Sequence, residues 1–385
     1  MTAYVFETIT PDEAMTIRPE DTLEFRSAPA SAIGVTYNSS TGLLQIVTIT
    51  ITAGGRSVTF NTTVAEVSQR GGIVAADGSK LLIGGGADDR LTGGQGADGL
   101  YGGYGNDSLD GDLGDDLIQG NAGDDLLTGG FGANVLYGGK GNDTLFASDT
   151  GETRGAFAHG NQGDDEVFGG GGGDTLLGGQ GDDLVGGLGG NDYISGDLGN
   201  DELHGGAGDD TLVGGAGDDV IQTGGGADLV LAGDGNDRIA VFYSGGATVD
   251  AGEGRDTITS VSPGRDVLKG GEGADVFEFV PTTRPTEGQD DMILDWSSED
   301  RFAFGQVSIY SIQPRQYSEF TAGSYREALS TANEHIMFTG AQYVAAQVGS
   351  DVVVFADING EAADGADIAI VLVGRTLTDI SLANF

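Results

Sequence analysis

The sequence predicts an all-β protein in which a repetitive solenoid fills the middle of the chain and a small β-rich domain flanks it on each side. From 84 to 278 the pattern Gly-Gly-x-Gly-x-Asp-x-apolar-x recurs about nineteen times, and a fixed period of this kind indicates stacked structural repeats. The eighth position is apolar in every copy. The flanking segments contain short runs with the alternation typical of strands.

Residues 1–83 are predicted to form a small β domain. The run 43–52 alternates Ile and Val with Thr, and a second run at 56–60 follows across Ala53-Gly54-Gly55, which predicts a hairpin. An earlier strand pair is predicted at YVFETI and TLEFRS. Because the chain then runs directly into the first repeat, we expect this domain to cap the solenoid.

The repeat tract, 84–278, divides into blocks by its phase. Seven copies run without interruption over 84–146, and nine more run over 160–240. The segments between blocks, 147–159 and 241–250, are interpreted as insertions of 13 and ten residues. Looser copies follow in 251–278. The tract is therefore predicted to consist of two regular blocks and a less regular end.

Residues 279–385 are predicted to form a β-rich closing domain, because glycine becomes rare and Phe, Ile, Val and Ala increase. The segment 290–305 has the pattern of a strand, a turn and a strand, and 324–333 is the best helix candidate. Residues 351–359 and 367–374 are predicted to form a terminal β pair joined by an acidic loop.

Three positions of the repeat carry its chemistry. Stacking aligns the apolar residues of position 8 into a buried column. Glycine at position 4, replaced only by Ala87, allows a positive φ and lets carbonyl groups turn inward. Position 6 is Asp in every copy except Asn134, and Ca²⁺ binds carboxylate and carbonyl oxygens of this kind.

The repeat thus predicts two sets of metal-site residues. The position 6 residues are Asp89, Asp98, Asp107, Asp116, Asp125, Asn134, Asp143, Asp165, Asp174, Asp183, Asp192, Asp201, Asp210, Asp219, Asp228, Asp237, Asp256, Asp266 and Asp275. The glycines expected to shape the sites are Gly84, Gly93, Gly102, Gly105, Gly111, Gly114, Gly120, Gly123, Gly163, Gly172, Gly181, Gly199, Gly205, Gly208, Gly214 and Gly217.

The plainest copies, GGAGDDTLV at 205–213 and GGAGDDVIQ at 214–222, resemble the calcium-binding nonapeptide of RTX proteins. The resemblance implies a right-handed parallel β-roll. It further implies that each Ca²⁺ lies between one copy and the copy two later, which gives roughly a dozen ions for this chain. Residues 290–305 resemble the closing segment of serralysin-type C-terminal domains, and RTLTDISLANF resembles the ends of type I secretion substrates.

Charge narrows the possible partners. The formal net charge is −43, with 60 acidic residues against 17 Lys and Arg. Nucleic acid is an unfavourable partner, since phosphate binding needs a basic surface. The repeat tract carries 37 of the acidic and 7 of the basic residues, so it would repel itself unless cations neutralised it. We therefore expect the tract to be disordered without Ca²⁺ and to fold when it binds.

The same features bear on location. The chain has no cysteine, no N-terminal pattern of a cleaved signal peptide and no apolar run of membrane-spanning length. Low-affinity calcium sites would be empty in a cytosol with submicromolar Ca²⁺. The RTX resemblance implies export through the type I secretion machinery with an uncleaved C-terminal signal. We therefore expect an extracellular or cell-surface protein.

Candidates for catalysis are few. His159, His204 and His335 are the only histidines, and neither an HExxH zinc motif nor a GxSxG nucleophile motif is present. Acid pairs such as Asp115-Asp116 coincide with position 6, so metal ligation explains them. The acidic segment 357–367 is interpreted as a turn, with a single calcium site as the alternative. Trp296, Phe302 and Phe304 are expected to pack in the core.

Two hypotheses of different class follow. The first is a non-enzymatic calcium-binding structural protein that assembles with copies of itself or with a surface or matrix component, as in surface layers, filaments or adhesins. The alternative is an extracellular hydrolase or polysaccharide-modifying enzyme, since RTX tracts are often attached to enzymes. A tract that serves only to drive secretion is compatible with either hypothesis.

Overall fold

The computed structural model confirms the predicted all-β class, because 52% of residues are in strands and 9% in helices. It has two compact units, Met1–Asp197 (unit 1) and Leu198–Phe385 (unit 2). The residues that the structure describes are 2–39, 46–71, 73–75, 77–242, 245–261, 264–280, 288, 290–304, 317–339, 342–357, 366–381 and 384.

Unit 1 begins with a small domain of two sheets and short helices. Its elements are β1 (Ala3–Val5), α1 (Pro11–Ala14), β2 (Thr22–Glu24), a 3₁₀ turn (Ala30–Ala32), β3 (Gly34–Ser39), β4 (Ile46–Ala53), β5 (Arg56–Asn61), α2 (Thr63–Gln69) and β6 (Ile73–Val74). Strands β1, β2 and β6 pair in parallel, and β3, β4 and β5 form an antiparallel sheet.

The predicted hairpin and the predicted early strand pair are both confirmed. Gly54 and Gly55 join β4 to β5 with φ of 56° and 79°, the positive values that a two-residue type I′ turn requires. The two helices were not predicted. Helix α1 begins after Thr10, whose side chain and that of Glu13 cap each other's backbone N–H groups.

The core of this small domain continues into the first solenoid strands. Phe6 and Phe25 stack with ring centres 4.5 Å apart. The same buried cluster includes Leu81, Ile83 and Tyr101, which lie on the first strands that carry the repeat pattern. The N-terminal domain therefore covers the apolar interior at the start of the solenoid in unit 1.

The solenoid of unit 1 consists of two parallel sheets whose strands alternate along the chain. Its strands are β7 (Leu81–Ile83), β8 (Arg90–Gln95), β9 (Gly99–Tyr104), β10 (Ser108–Leu113), β11 (Leu117–Ala122), β12 (Leu126–Thr128), β13 (Val135–Lys140), β14 (Thr144–Phe146), β15 (Phe157–Gln162), β16 (Glu166–Gly170), β17 (Thr175–Gln180), β18 (Leu184–Leu188) and β19 (Tyr193–Leu198). Odd-numbered strands form the odd sheet of unit 1 and even-numbered strands form its even sheet.

Register within each sheet follows the repeat. Leu109 lies opposite Leu91 in the even sheet, and Ile118 lies opposite Leu100 in the odd sheet. Two nonapeptides therefore make one complete turn of the solenoid. The position 8 residues form the predicted buried column, because Leu91 through Leu145 are at most 4% exposed.

The expectation of a 13-residue insertion at 147–159 is wrong. Phe157 pairs with Val135, so the end of this segment belongs to β15, and Ala158 is fully buried at position 8. In the even sheet Thr144 pairs with Glu166, which is four residues more than the regular spacing of 18. The segment is therefore four extra residues plus one complete nonapeptide. It lacked a recognisable pattern because Ala replaces both the Asp and the large apolar residue.

Unit 2 continues the same construction within itself. Its solenoid strands are β20 (Glu202–Ala207), β21 (Thr211–Ala216), β22 (Val220–Gly225), β23 (Leu229–Asp234), β24 (Arg238–Val241), β25 (Thr248–Gly254), β26 (Thr257–Ser260), β27 (Val267–Lys269), β28 (Glu272–Gly273), β29 (Val276–Phe279), β30 (Asp291–Ile293) and β31 (Arg301–Phe304). One parallel sheet contains β20, β22, β24, β26, β29 and β31, and the other contains β21, β23, β25, β27, β28 and β30.

Two further boundaries need correction here. Thr248 pairs with Leu229, so the segment 241–250 is a nonapeptide with one extra residue, and Ala247 stands at its position 6. The tract also does not end at 278. Met292 pairs in parallel with Val267, and Arg301 pairs with Val276, so the solenoid runs to Phe304.

The rest of unit 2 contains β32 (Tyr317–Ala322), α3 (Tyr325–Thr339), β33 (Tyr343–Val348), β34 (Asp351–Ala356), β35 (Ile368–Leu372) and a 3₁₀ turn (Leu377–Asp379). The predicted helix is confirmed and is longer than expected. The predicted terminal pair, β34 with β35, is antiparallel. Most of the acidic segment between these strands lies outside the described residues. Trp296 is fully buried and stacks on Phe302 at 4.2 Å, as expected for core packing.

The buried column gives a matched test of the fold. Leu127 is fully buried, whereas its neighbour Leu126 is 42% exposed. In saturating calcium, Leu127→Ala should lower the free energy of unfolding by about 2–5 kcal/mol because it leaves a cavity. Leu126→Ala should change it by less than about 0.5 kcal/mol. Urea denaturation followed by circular dichroism measures both, and equal effects would contradict the column.

Candidate metal centre

The position 6 carboxylates of each sheet are aligned by hydrogen bonds between neighbouring copies. We call each such row of position 6 residues a ladder. The backbone N–H of Asp89 donates to Oδ1 of Asp107 at 2.8 Å, and that of Asp107 donates to Oδ1 of Asp125 at 2.7 Å. The odd sheet has the same arrangement from Asp98 to Asp116, at 2.8 Å. Each side chain therefore has one oxygen committed to the backbone, and this fixes where the other oxygen points.

The other oxygen, Oδ2, is buried. In nine copies it has no hydrogen-bond partner within the described part of the chain, namely in Asp98, Asp107, Asp116, Asp125, Asp143, Asp165, Asp219, Asp237 and Asp256. In two others it accepts from a position 2 N–H, from Gly85 to Asp89 at 2.6 Å and from Gly170 to Asp174 at 2.7 Å. A buried polar atom without a partner is costly. These oxygens therefore fit a bound cation.

Glycine at position 1 provides the space beside this oxygen. A Cβ built on Gly93 would lie 2.5 Å from Oδ2 of Asp98 and 2.7 Å from the carbonyl oxygen of Gly111 in the next copy of the sheet. Gly102 and Gly120 are enclosed in the same way by their own Asp and by the next copy. A carboxylate oxygen and a carbonyl oxygen thus converge on one small space, and calcium prefers this type of donor.

Glycine at position 4 is required for a different reason. Gly105 and Gly114 have φ of 115° and 147°, values that a residue with a Cβ rarely adopts. A Cβ on Gly114 would also overlap the carbonyl oxygen of Gly96 in the preceding copy. The expected positive φ is therefore present. Gly172 is an exception without positive φ, and a Cβ there would lie 2.5 Å from the carbonyl oxygen of Arg154.

Two further positions of the repeat were missed by the sequence analysis. Position 2 also has positive φ, including 81° at Asn121 and 83° at Asn161, and Asn tolerates this conformation better than most residues. At position 5, the N–H of Asn106 donates to Oδ1 of Asp88 at 2.9 Å, and that of Asp124 donates to Asn106 at 3.1 Å. The signal was the recurrence of Asn and Asp at both positions.

The ladders also extend beyond the predicted residues. The N–H of Asp266 donates to Oδ1 of Asp291 at 2.9 Å, and the N–H of Asp275 donates to Oδ1 of Asp300 at 3.1 Å. Asp291 and Asp300 therefore occupy position 6 in copies that lack the glycines. The sequences Asp-Met-Ile and Asp-Arg-Phe retain the spacing from Asp to the buried apolar residue, which could have identified them.

Burial shifts the acidity of these carboxylates in the metal-free protein. Desolvation, reinforced by neighbouring carboxylates, raises the pKa of Asp107 and Asp125 to about 7 and that of Asp143 to about 8. In unit 2 the same cause raises the pKa of Asp219 to about 7 and that of Asp237 to about 6. A bound cation would reverse this shift, because it stabilises the charged form.

The histidines have ordinary surroundings. His159 is half-buried on β15, and burial lowers its pKa. His204 lies 3.0 Å from a carboxylate oxygen of Glu202, and Nδ1 of His335 lies 2.7 Å from the hydroxyl of Ser318. In the part of the chain that the structure describes, no three His, Asp or Glu side chains form a metal-binding group.

Comparison with known families gives the same answer. The model of the RTX calcium-binding nonapeptide repeat matches residues 83–118, 110–145, 155–185, 168–203, 178–212, 186–221, 204–239 and 261–278. The repeat tract is an RTX β-roll. RTX repeats are calcium-binding, so calcium is the cation of this repeat tract. A search of curated proteins found no match.

Among the described residues, no helix combines the length and the apolar character needed to span a bilayer. RTX repeat proteins are typically secreted.

Substitution of a position 1 glycine tests the site directly. Gly102→Ala should displace Oδ2 of Asp107, because the new Cβ would occupy the space beside it. The variant should bind at least one Ca²⁺ fewer per chain at saturation, as measured by equilibrium dialysis. Gly86→Ala is the matched control, since a Cβ at Gly86 meets no atom within 4 Å. An unchanged count in Gly102→Ala would exclude this space as a calcium site.

The raised pKa values predict the pH dependence of the metal-free protein. A carboxyl whose folded pKa, about 7 for Asp107, exceeds its unfolded value of about 3.9 stabilises the fold at low pH. This stability should be lost as pH rises from about 4 to about 8. Calcium-free protein should therefore retain more β structure at pH 5 than at pH 8, as measured by circular dichroism. Saturating calcium should abolish the difference, whereas greater metal-free stability at pH 8 would contradict the assignment.

Proposed function

We propose that this RTX protein is a non-enzymatic, secreted structural protein that folds on extracellular calcium and assembles with copies of itself at the cell surface or in the surrounding matrix. A surface layer, a filament or an adhesin would suit this construction. The observation that carries the proposal is the set of buried position 6 Asp oxygens that have no hydrogen-bond partner among the described residues, with members in each unit, such as Asp107 in unit 1 and Asp219 in unit 2. Most of the chain's chemistry is thus committed to holding cations.

Calcium couples folding to location. Without cations, the ladders place buried carboxylates one solenoid turn apart, and burial opposes their ionisation. With calcium, the same oxygens become ligands, and the free energy of binding contributes to folding. Roughly a dozen ions would offset most of the negative charge of the repeat tract. The chain would therefore be unfolded where calcium is scarce and folded outside the cell.

Carboxylates that line one surface depression outside the ladders have structural partners, which supports a non-catalytic role there. A surface depression of about 580 Å³ in unit 2 is lined by several carboxylates. One of them, Asp250, pairs with Lys269 at 2.8 Å. Another, Asp295, accepts hydrogen bonds from the N–H groups of Gly270 and Gly271 at 3.0 and 2.8 Å. These contacts tie adjacent copies together.

Exposed apolar side chains support self-association. In unit 1 they recur on the outer surface of the solenoid, and exposed apolar area that is contiguous can mark a site of contact with a partner. Phe146, for example, is 42% exposed and stacks on Phe168 with ring centres 5.5 Å apart. The others in unit 1 that exceed 40% exposure are Met15, Leu113, Leu126, Phe131, Leu188 and Tyr193. Contacts between copies would remove this surface from water.

Electron microscopy and light scattering with and without calcium test the proposal. Calcium should convert an unfolded monomer into ordered sheets or filaments, and chelation should reverse the change. Phe146→Ser should weaken assembly while leaving calcium-induced β structure intact, because Phe146 lies on the outer surface. Calcium-loaded protein that stays monomeric at high concentration would refute self-assembly. Turnover of polysaccharides or esters by such a monomer would favour the enzyme alternative.

A further inference from the structure

The odd and even sheets of unit 1 differ at position 6. In the even sheet this position is Asp in all six copies of unit 1, which are Asp89, Asp107, Asp125, Asp143, Asp165 and Asp183. In the odd sheet the ladder contains three other residues, which are Lys80, Asn134 and Ala156. The ladders of the odd and even sheets of unit 1 therefore do not offer calcium the same set of carboxylate oxygens.

Lys80 stands at position 6 of the copy that precedes Asp98. Its backbone N–H donates to Oδ1 of Asp98 at 2.6 Å, as the Asp residues do along the ladder. Its ammonium group donates to the carbonyl oxygen of Gly93. In the next copy, the corresponding carbonyl belongs to Gly111 and faces Oδ2 of Asp98. A side-chain cation thus takes the carbonyl that an Asp would share with calcium.

Asn134 also places a hydrogen-bond donor where other copies have a carboxylate oxygen, but its donor is a neutral amide. Its Oδ1 accepts the N–H of Asp116 at 3.1 Å, so its Nδ2 must face the interior of the site. There Nδ2 donates to the carbonyl oxygens of Ala147 at 3.1 Å and Gly130 at 3.3 Å. The orientation of the amide is not ambiguous, because a backbone N–H requires an oxygen opposite it. An N–H group that points at these carbonyls disfavours a cation.

The following copy extends the interruption. Ala156 has no carboxylate, although its N–H still donates to Oδ1 of Asp174 at 2.7 Å. Two residues earlier, the guanidinium of Arg154 lies 2.7 Å from the carboxylate of Asp115. Arg154 is therefore a second positively charged side chain, after Lys80, that lies at the ladder of the odd sheet, next to Asp116. Asp98 and Asp116 are in this way enclosed between Lys80 on one side and Asn134 on the other.

We propose that Lys80 and Asn134 take the place of calcium in the odd sheet of unit 1. The ions of unit 1 are then distributed unequally, with a continuous series along the even sheet and an interrupted one along the odd sheet. The donors satisfy these carbonyl oxygens without metal, so these two copies need no ion of their own. This inference rests on calcium binding by the ladders.

Restoration of a carboxylate tests the proposal by gain of a site. Asn134→Asp should bind one more Ca²⁺ per chain than the wild type at saturation, as measured by equilibrium dialysis of the full chain. Asp143→Asn, the opposite change on the neighbouring strand of the even sheet, should bind at least one fewer. The gain in Asn134→Asp should also make its thermal midpoint rise more steeply with calcium concentration than that of the wild type, because one more ion binds to the folded state.

Lys80→Asp is the second variant. It also should gain one ion, and because the Lys80 side chain is exposed, the substitution leaves the buried column unchanged. The proposal is overturned if Asn134→Asp and Lys80→Asp bind as many ions as the wild type while Asp143→Asn binds fewer, since Asn134 would then already be a ligand. A wild-type chain that binds no calcium would instead refute the proposed function itself.

Discussion

The rest of the structure depends on the buried carboxylate at position 6. One of its oxygens receives a backbone N–H from the preceding copy of the same sheet, and this bond sets the spacing of the solenoid. The other oxygen is left in a site that water does not reach. A bound calcium ion would remove the free-energy cost of burying this oxygen. It supplies a positive charge next to the carboxylate, and backbone oxygens complete its ligands. The hydrogen bond that aligns the carboxylates thus also leaves their second oxygen in a buried position that suits a metal ion.

Glycine makes such close stacking possible. At position 1 it leaves room beside the carboxylate, and at position 4 it allows a conformation and an approach that a Cβ would prevent. The solenoid tolerates change elsewhere. Four extra residues at 147–159 in unit 1 and one at 241–250 in unit 2 enter without loss of register, because the strands on both sides still align their buried residues. Residue type is therefore constrained in the turns and in the interior of the solenoid, whereas the number of residues between two strands can vary.

Metal and side chain are alternative solutions to the same electrostatic problem. Where a copy presents Asp, the paired oxygens require a cation from solution. Where it presents Lys80 or Asn134, the chain provides hydrogen-bond donors of its own. A protein that mixes both needs fewer ions than it has copies of the repeat.

The sequence by itself determined the repeat, the buried column and the identity of the ion, since each follows from a period and from residue types that recur at fixed positions. It also predicted the hairpin at Gly54-Gly55, helix α3 and the core position of Trp296. It could not determine the true extent of 147–159 and 241–250, or the final copies at Asp291 and Asp300. There the consensus residues are missing, and only pairing with the neighbouring strand identifies the copy. It also could not determine the direction of the Asn134 amide, because that direction is decided by the N–H that faces it in the folded chain.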